Sequence, residues 1–294
     1  MQRHPNKAYS LIEISIVILI ISVLFAGVTL SSRVVYESRL STARTLTQSA
    51  AVTSIPNLVS WFDAVSENSF DTIDATDNVG ITNWYDLNTQ NTSKNNAQQS
   101  GATSLRPVYK ASCLNNLPCL SFNGSSTYIE TLATTGIKTS ELTVFVVAKT
   151  NTISSSLEYS YVATSGSWVS GTNFILKQSA SAGTSTMLDY QLPNSVDVTT
   201  PSSITILKPF IGSLVDNGTT ATAYYNGNTG SSTATGVFKS IGVLTFGAYY
   251  DGSTRSRYLD GAIGEIIIFN RALKIEERKA IEKYLGKKWN ITVS

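Results

Sequence analysis

The chain has 294 residues, 42% of them apolar and only 14% charged, with 14 tyrosines. That length excludes a small stapled scaffold, and the sparse charge suits an exported, β-rich surface. A formal charge of +2 excludes the global basic excess of a nucleic-acid binder, so no nucleic-acid partner is expected.

Residues 14–32 carry no charge and are dominated by Ile, Val and Leu. At 1.5 Å per residue such a run reaches across about 30 Å of hydrocarbon, which predicts a membrane-spanning helix over about residues 9–32. A secretory signal peptide is the rival reading, with Arg3 and Lys7 as its positive region. The run is longer than a signal peptide requires, however, and holds Glu13 near its start, where a carboxylate costs about 3 kcal/mol in lipid. A buried acid at that position is a functional flag. Beyond the span, Val34, Val35, Leu40, Ala43, Leu46 and Ala50 recur near helical spacing and Pro56 is a stop, giving one helix over about residues 9–52.

The stretch Lys7-Ala8-Tyr9-Ser10-Leu11-Ile12-Glu13-Ile14 and the apolar residues after it resemble the class III leader of type IV pilins and pseudopilins. That resemblance implies a leader over residues 1–8, cut between Ala8 and Tyr9 by a prepilin peptidase, N-methylation of Tyr9, and an assembly role for Glu13. Ala8 stands where that family usually has Gly, and Tyr9 where it usually has Phe. The resemblance also implies a pilin-type N-terminal region over residues 9–55 and a bacterial inner-membrane location. The leader would be cytoplasmic and the C-terminal domain periplasmic, before assembly into a surface or periplasmic filament. Other pilin subunits and the peptidase/methylase are the implied partners. Loss of the leader removes Arg3, Lys7 and the single histidine, His4. Without a histidine, Ser-His-Asp and Cys-His nucleophiles and His-ligated metals are excluded.

From residue 56 to the end, short strands alternate with Gly, Asn, Ser and Thr, and no helical period returns until Arg271. Strands are expected at Leu58 to Phe62, Val108 to Tyr109, Cys119 to Phe122, Leu142 to Lys149, Tyr159 to Ala163, Asn173 to Lys177, Ser203 to Leu207, Phe210 to Asp216, Ala221 to Asn226, Gly242 to Tyr249 and Ala262 to Phe269. Asp216-Asn217-Gly218 and Asn226-Gly227 read as hairpin turns. Cys113 and Cys119 fit a local disulfide in an oxidising compartment, with two reduced thiols as the alternative. The whole is an α+β chain: a long N-terminal helix, an antiparallel β-sandwich of jelly-roll type over residues 56–294, and a short C-terminal helix.

Several pieces, taken in order, resemble the concanavalin A-like lectin/glucanase superfamily in its laminin G-like form. They are Leu58-Val59-Ser60-Trp61-Phe62-Asp63-Ala64, Asn83-Trp84-Tyr85-Asp86-Leu87, Arg106-Pro107-Val108-Tyr109, Leu120-Ser121-Phe122-Asn123-Gly124, Phe145-Val146-Val147-Ala148-Lys149, Ala223-Tyr224-Tyr225-Asn226-Gly227, the run from Gly261 to Leu273 and the terminal Tyr284-Leu285-Gly286-Lys287-Lys288-Trp289. Trp61, Trp84 and Trp289 fall in pattern positions and are expected in the core. Lys274 stands where a Ser or Thr N-cap is common, so a weak start to the last helix is expected.

The E-x-D-x-x-E arrangement of the glucanase branch is missing, so no enzyme activity is expected. The resemblance offers calcium as a cofactor, with Asp71, Asp74 and Asp77 crowding one loop as its ligands; a solvated acidic loop is the simpler reading of the same residues. Aromatic faces stack on sugar C–H surfaces while polar groups fix hydroxyls. Tyr249, Tyr250, Asp251 and Arg255, with Arg257, and the loop residue Trp168 are therefore candidate glycan contacts, against ordinary loop packing. The basic stretch from Arg271 to Lys288 reads as a solvated helix face. The expected function is a minor or adhesive subunit of a type IV pilus-like filament, displaying a lectin-like domain to a glycan or surface protein for cell adhesion. A type II secretion pseudopilin and a membrane-anchored carbohydrate-active enzyme are the rival readings.

Overall fold

The computed structural model describes residues 10–132, 137–154, 157–164, 174–179, 187–192, 196–234 and 239–294. The cleavage pair Ala8 and Tyr9 and the loop residue Trp168 lie outside them. The chain divides into two compact units, Met1–Thr42 and Ala43–Ser294.

Helix α1, Leu11–Gln48, begins in the first unit. Its start has a local chemical reason. The Glu13 carboxylate accepts the backbone N–H of Ser10 at 2.9 Å, and the Ser10 hydroxyl accepts that of Ile12 at 3.3 Å, so acid and hydroxyl together satisfy otherwise orphaned donors. From Leu11 to Phe25 the large apolar side chains are exposed. Among the described residues no helix is long and apolar enough to cross a membrane; the side chains of residues 26–30 and 32, within the expected span, lie outside the description. The helix ends at Gln48 rather than near residue 52, and a separate 3₁₀ turn, Ala51–Ser54, carries the chain toward Pro56.

Among the described residues the second unit is a sandwich of two eight-stranded sheets whose ladders are all antiparallel. The first sheet runs in the order Asn228–Ala234, Thr220–Tyr225, Phe210–Asn217, Glu141–Thr150, Asp260–Phe269, Leu117–Asn123, Val108–Leu114. Asp260–Phe269 has a divided edge: residues 260–263 pair with Leu117–Asn123, and residues 265–269 pair with Leu58–Asp63. The second sheet runs Val196–Ser203, Met187–Leu192, Ile175–Gln178, Tyr159–Thr164, Leu244–Phe246, Ile129–Thr131, Ala97–Gln98, Asn83–Trp84. Facing residues of both sheets form one core, in which Phe62 lies 4.9 Å from Phe246 and 5.3 Å from Trp84 between ring centroids.

The turns follow from their residues. Asn226 and Gly227 have φ of 49° and 83°, the two positive angles of a type I′ hairpin, and Asn115 and Asn116, with 50° and 64°, form a second one. Cys113 and Cys119 flank that second turn and are disulfide-bonded, with Cα atoms 5.7 Å apart. Two expected strands are corrected. Ser203 ends a strand that begins at Val196, and Leu207 follows in a left-handed turn, φ 62°. The expected strand from Gly242 to Tyr249 is broken after Phe246 by Gly247, φ 79°, and Tyr249–Tyr250 pairs instead with Arg255–Ser256.

Helix α2, Ile275–Trp289, covers the outer face of the first sheet. Lys274 is a better start than its side chain suggests, because the Glu277 carboxylate accepts its backbone N–H at 2.8 Å. Trp289 lies against Gly264, where an added Cβ would come within 2.5 Å of the indole. With one of its faces on the core and the other under α2, Asp260–Phe269 reads as a nearly continuous apolar run. The solvated-face reading of α2 holds only in part: Arg278, Glu282 and Lys288 are buried. Trp61, Trp84 and Trp289 are buried as expected.

Candidate ligand-binding site

The hairpin Tyr249–Tyr250/Arg255–Ser256 sits beside the outer face of the second sheet, and its turn is built by Asp251. That carboxylate accepts the N–H groups of Thr254 at 2.7 Å and Ser253 at 2.8 Å, which hold it below the usual carboxylate range. Asp251 is therefore a staple of the turn. Tyr249 is buried, packed with Ala163 and Ile175. Of the five described residues expected to meet a glycan, Tyr250 and Arg255 line a groove, these two do not, and Arg257 pairs with Glu158.

Arg255 is held in three ways. Its guanidinium lies 3.8 Å from the Tyr128 ring centre and 4.6 Å from that of Tyr250, and one terminal nitrogen donates to both oxygens of Glu130 at 2.8 and 2.9 Å. The other terminal nitrogen is buried and donates to no group among the described residues. Glu130 is an outward residue of Ile129–Thr131, aligned with Gln98 and Thr245 on the neighbouring strands. On one side of Glu130 and Val243 lies a cavity of about 330 Å³ bordered by Gln98, Gln99 and Tyr128; on the other lies one of about 500 Å³ bordered by Tyr250, Ser253 and Arg255. The two adjoin along Glu130 and Val243, with Tyr128 in the wall of one and Tyr250 in the wall of the other, and together they make up the groove. Tyr128 and Glu130 are not legible as site residues in the sequence, because nothing local marks them; only strand pairing brings them to Arg255.

A second polar cluster lies along the same hairpin. Lys177 forms ion pairs with Glu158 and, at 3.5 Å, with Asp189, while Arg257 pairs with Glu158 and lies over the Tyr249 ring at 5.1 Å. Burial pushes Asp189 up to about 7, against the attraction of Lys177. For Glu158, burial acts upward but Lys177 and Arg257 together outweigh it and hold the carboxyl below its ordinary value.

The acidic loop is not assembled as a cation site. Asp74 accepts the N–H of Thr82 at 2.7 Å, Asp71 accepts the hydroxyl of Tyr85 at 2.9 Å, and Asp77 accepts the N–H of Ala111 at 2.8 Å. Each carboxylate fastens a different segment. Among the described residues no cluster of three or more acidic, Cys or His side chains is placed to hold a metal.

No protein family and no curated protein matches this sequence. Solved structures do. Domain 4 of AbnA, a GH43 extracellular arabinanase from Geobacillus stearothermophilus, is 13% identical with a TM-score of 0.52, the match covering 78% of this chain and 98% of that one. The binding domain of botulinum neurotoxin serotype D is 12% identical with a TM-score of 0.53, covering 80% of this chain and 52% of that one. A Trypanosoma rangeli sialidase is 10% identical with a TM-score of 0.50, covering 82% of this chain and 34% of that one. At such identities the likeness is one of fold, and the fold is a jelly-roll β-sandwich.

Proposed function

We propose that the chain is a minor or adhesive subunit of a pilus-like filament, and that its jelly-roll domain binds glycan in the groove between Tyr128, Glu130, Tyr250 and Arg255. The clamped Arg255 carries this reading. A guanidinium fixed by two rings and a carboxylate is pre-ordered in the wall of the groove, where its exposed part meets a sugar without losing further side-chain freedom. Gln98, Gln99 and Ser253 supply further polar contacts along the groove, and Tyr250 an aromatic edge. The arabinotriose in the arabinanase-domain complex supports carbohydrate as the ligand class. Binding without turnover is the proposed mode, because the chain has no E-x-D-x-x-E motif and Glu130 is engaged by Arg255.

The filament half of the proposal is supported by the Lys7 to Ile14 resemblance and by the exposed apolar side chains from Leu11 to Phe25, which need a lipid or protein partner. Two experiments test the reading. A glycan array with the detergent-solubilised full chain should give binders whose affinity falls at least about ten-fold in Arg255→Ala and Tyr250→Ala, the loss of one good contact; undiminished binding removes the groove from the proposal. Mass spectrometry of the membrane-extracted N-terminal peptide should find Tyr9 with a methylated amine, whereas a start near Gly27 or Val28 would mean ordinary signal-peptide processing and end the pilin reading.

A further inference from the structure

A set of fully enclosed charges lies away from the groove, under helix α2. Asp63 and Glu265 are directly opposite each other in the ladder between Leu58–Asp63 and Asp260–Phe269. Lys288 of α2 reaches between them, its ammonium nitrogen 2.7 Å from an Asp63 oxygen and 2.8 Å from a Glu265 oxygen, and both ion pairs are wholly buried. The Glu265 oxygens also accept from Trp61 Nε1, Trp289 Nε1 and the Tyr284 hydroxyl, at 2.8, 2.8 and 2.7 Å. The Asp63 oxygens accept from Thr47 Oγ1 and the Val65 N–H, both at 2.9 Å.

Two carboxylates and one ammonium leave an uncompensated negative charge in a fully buried site. Desolvation on that scale favours neutral forms, and burial raises the Glu265 carboxyl above its ordinary value. Lys288 and Asp63 thus place a side-chain nitrogen and a carboxyl group in contact within the fold, beside a third group able to carry protons. We propose that Lys288 and Asp63 are joined by an amide cross-link formed within the folded domain, with Glu265 as the proton carrier.

The step balances. One proton passes from Lys288 to the Asp63 carboxylate it touches; the nitrogen lone pair so freed adds to Cγ of Asp63, forming the C–N bond and placing negative charge on a carboxyl oxygen that Thr47 or Val65 already contacts as donor. Glu265 takes a proton from the nitrogen and returns it to the departing hydroxyl. The C–O bond breaks, water leaves, and Glu265 ends as it began. No oxidant or cofactor is consumed. Proximity lowers the barrier, because two groups fixed in contact react as if at very high concentration. The product ties the first strand of the sandwich to its last helix.

Peptide mapping of the full chain, purified folded in detergent, reduced and denatured before digestion, is the test. The expected result is a branched peptide containing Asp63 and Lys288, lighter by one water than its two parts. Asp63→Asn should give the same branch with loss of ammonia from the amide instead. Lys288→Arg keeps the positive charge but should abolish the branch, and Glu265→Gln should slow its formation at least about 100-fold, as loss of an acid–base group does. Circular dichroism of each variant confirms that it is folded. Separate linear peptides with unmodified Asp63 and Lys288, recovered from folded wild-type protein, overturn the proposal.

Discussion

At Asp189 burial and charge pull in opposite directions, and burial prevails. The carboxyl is raised to about 7 while its unfolded value is 3.8, so the folded state binds the proton more tightly. The stability this confers is complete below the unfolded value and is lost as pH rises through the folded one, a change of at most about 4 kcal/mol. Glu158 is shifted the other way and stays ionised between pH 5.5 and 8, so it does not mask the effect in that window. Urea denaturation of the wild type should therefore show lower stability at pH 8 than at pH 5.5, and Asp189→Asn should flatten that difference; an equal slope in the variant would assign the pH dependence elsewhere. Single residues were also where the sequence was least legible. Lys288 and Arg278 look like their solvated neighbours on α2, and only the placement of the helix against Glu265 and Tyr224 buries them. Asp251 looks like a ligand contact until its two backbone partners are seen.

Secondary elements were easier to read where their pattern is extreme. The strands Glu141–Thr150 and Asp260–Phe269 are dense in Val and Ile, and both appear almost as expected. Asn228–Ala234, made of Asn, Thr, Gly, Ser and Ala, carries no apolar alternation and was not foreseen; it forms because Thr220–Tyr225 offers it a ladder across the Asn226-Gly227 turn. Two element contacts lend themselves to measurement. Gly264→Ala should destabilise the domain by about 1–3 kcal/mol, because Trp289 fills the space a Cβ needs and overpacking must shift α2; thermal unfolding reads it directly. Replacing Cys113 and Cys119 by Ser should cost about 2 kcal/mol, the value of closing a short loop. The same turn holds α2 through Asn115, whose side-chain amide donates to the Trp289 carbonyl at 2.7 Å, so the double variant should also loosen the end of that helix, seen as faster amide exchange near Trp289.

For the molecule as a whole, the sequence made the change from a long apolar helix to a β-sandwich visible through composition alone, whereas the pairing of distant strands had no local signal. Glu13 satisfies the Ser10 N–H in the chain by itself, which leaves its filament role to be measured. Under the proposed function, Glu13→Val should be cut and membrane-located like the wild type yet enter filaments poorly; co-sedimentation with sheared filaments decides, and equal incorporation would confine Glu13 to capping its own helix. The divided edge of Asp260–Phe269 has a consequence for biosynthesis. Leu58–Asp63 emerges early from the ribosome, but its ladder partner lies some two hundred residues downstream, in the last strand to be made. Until that strand arrives, an apolar segment with open backbone groups must wait without a mate, and closure over so long a loop is slow. The sandwich therefore closes only after synthesis is nearly complete, and until then that early strand is open to pairing with the wrong edge.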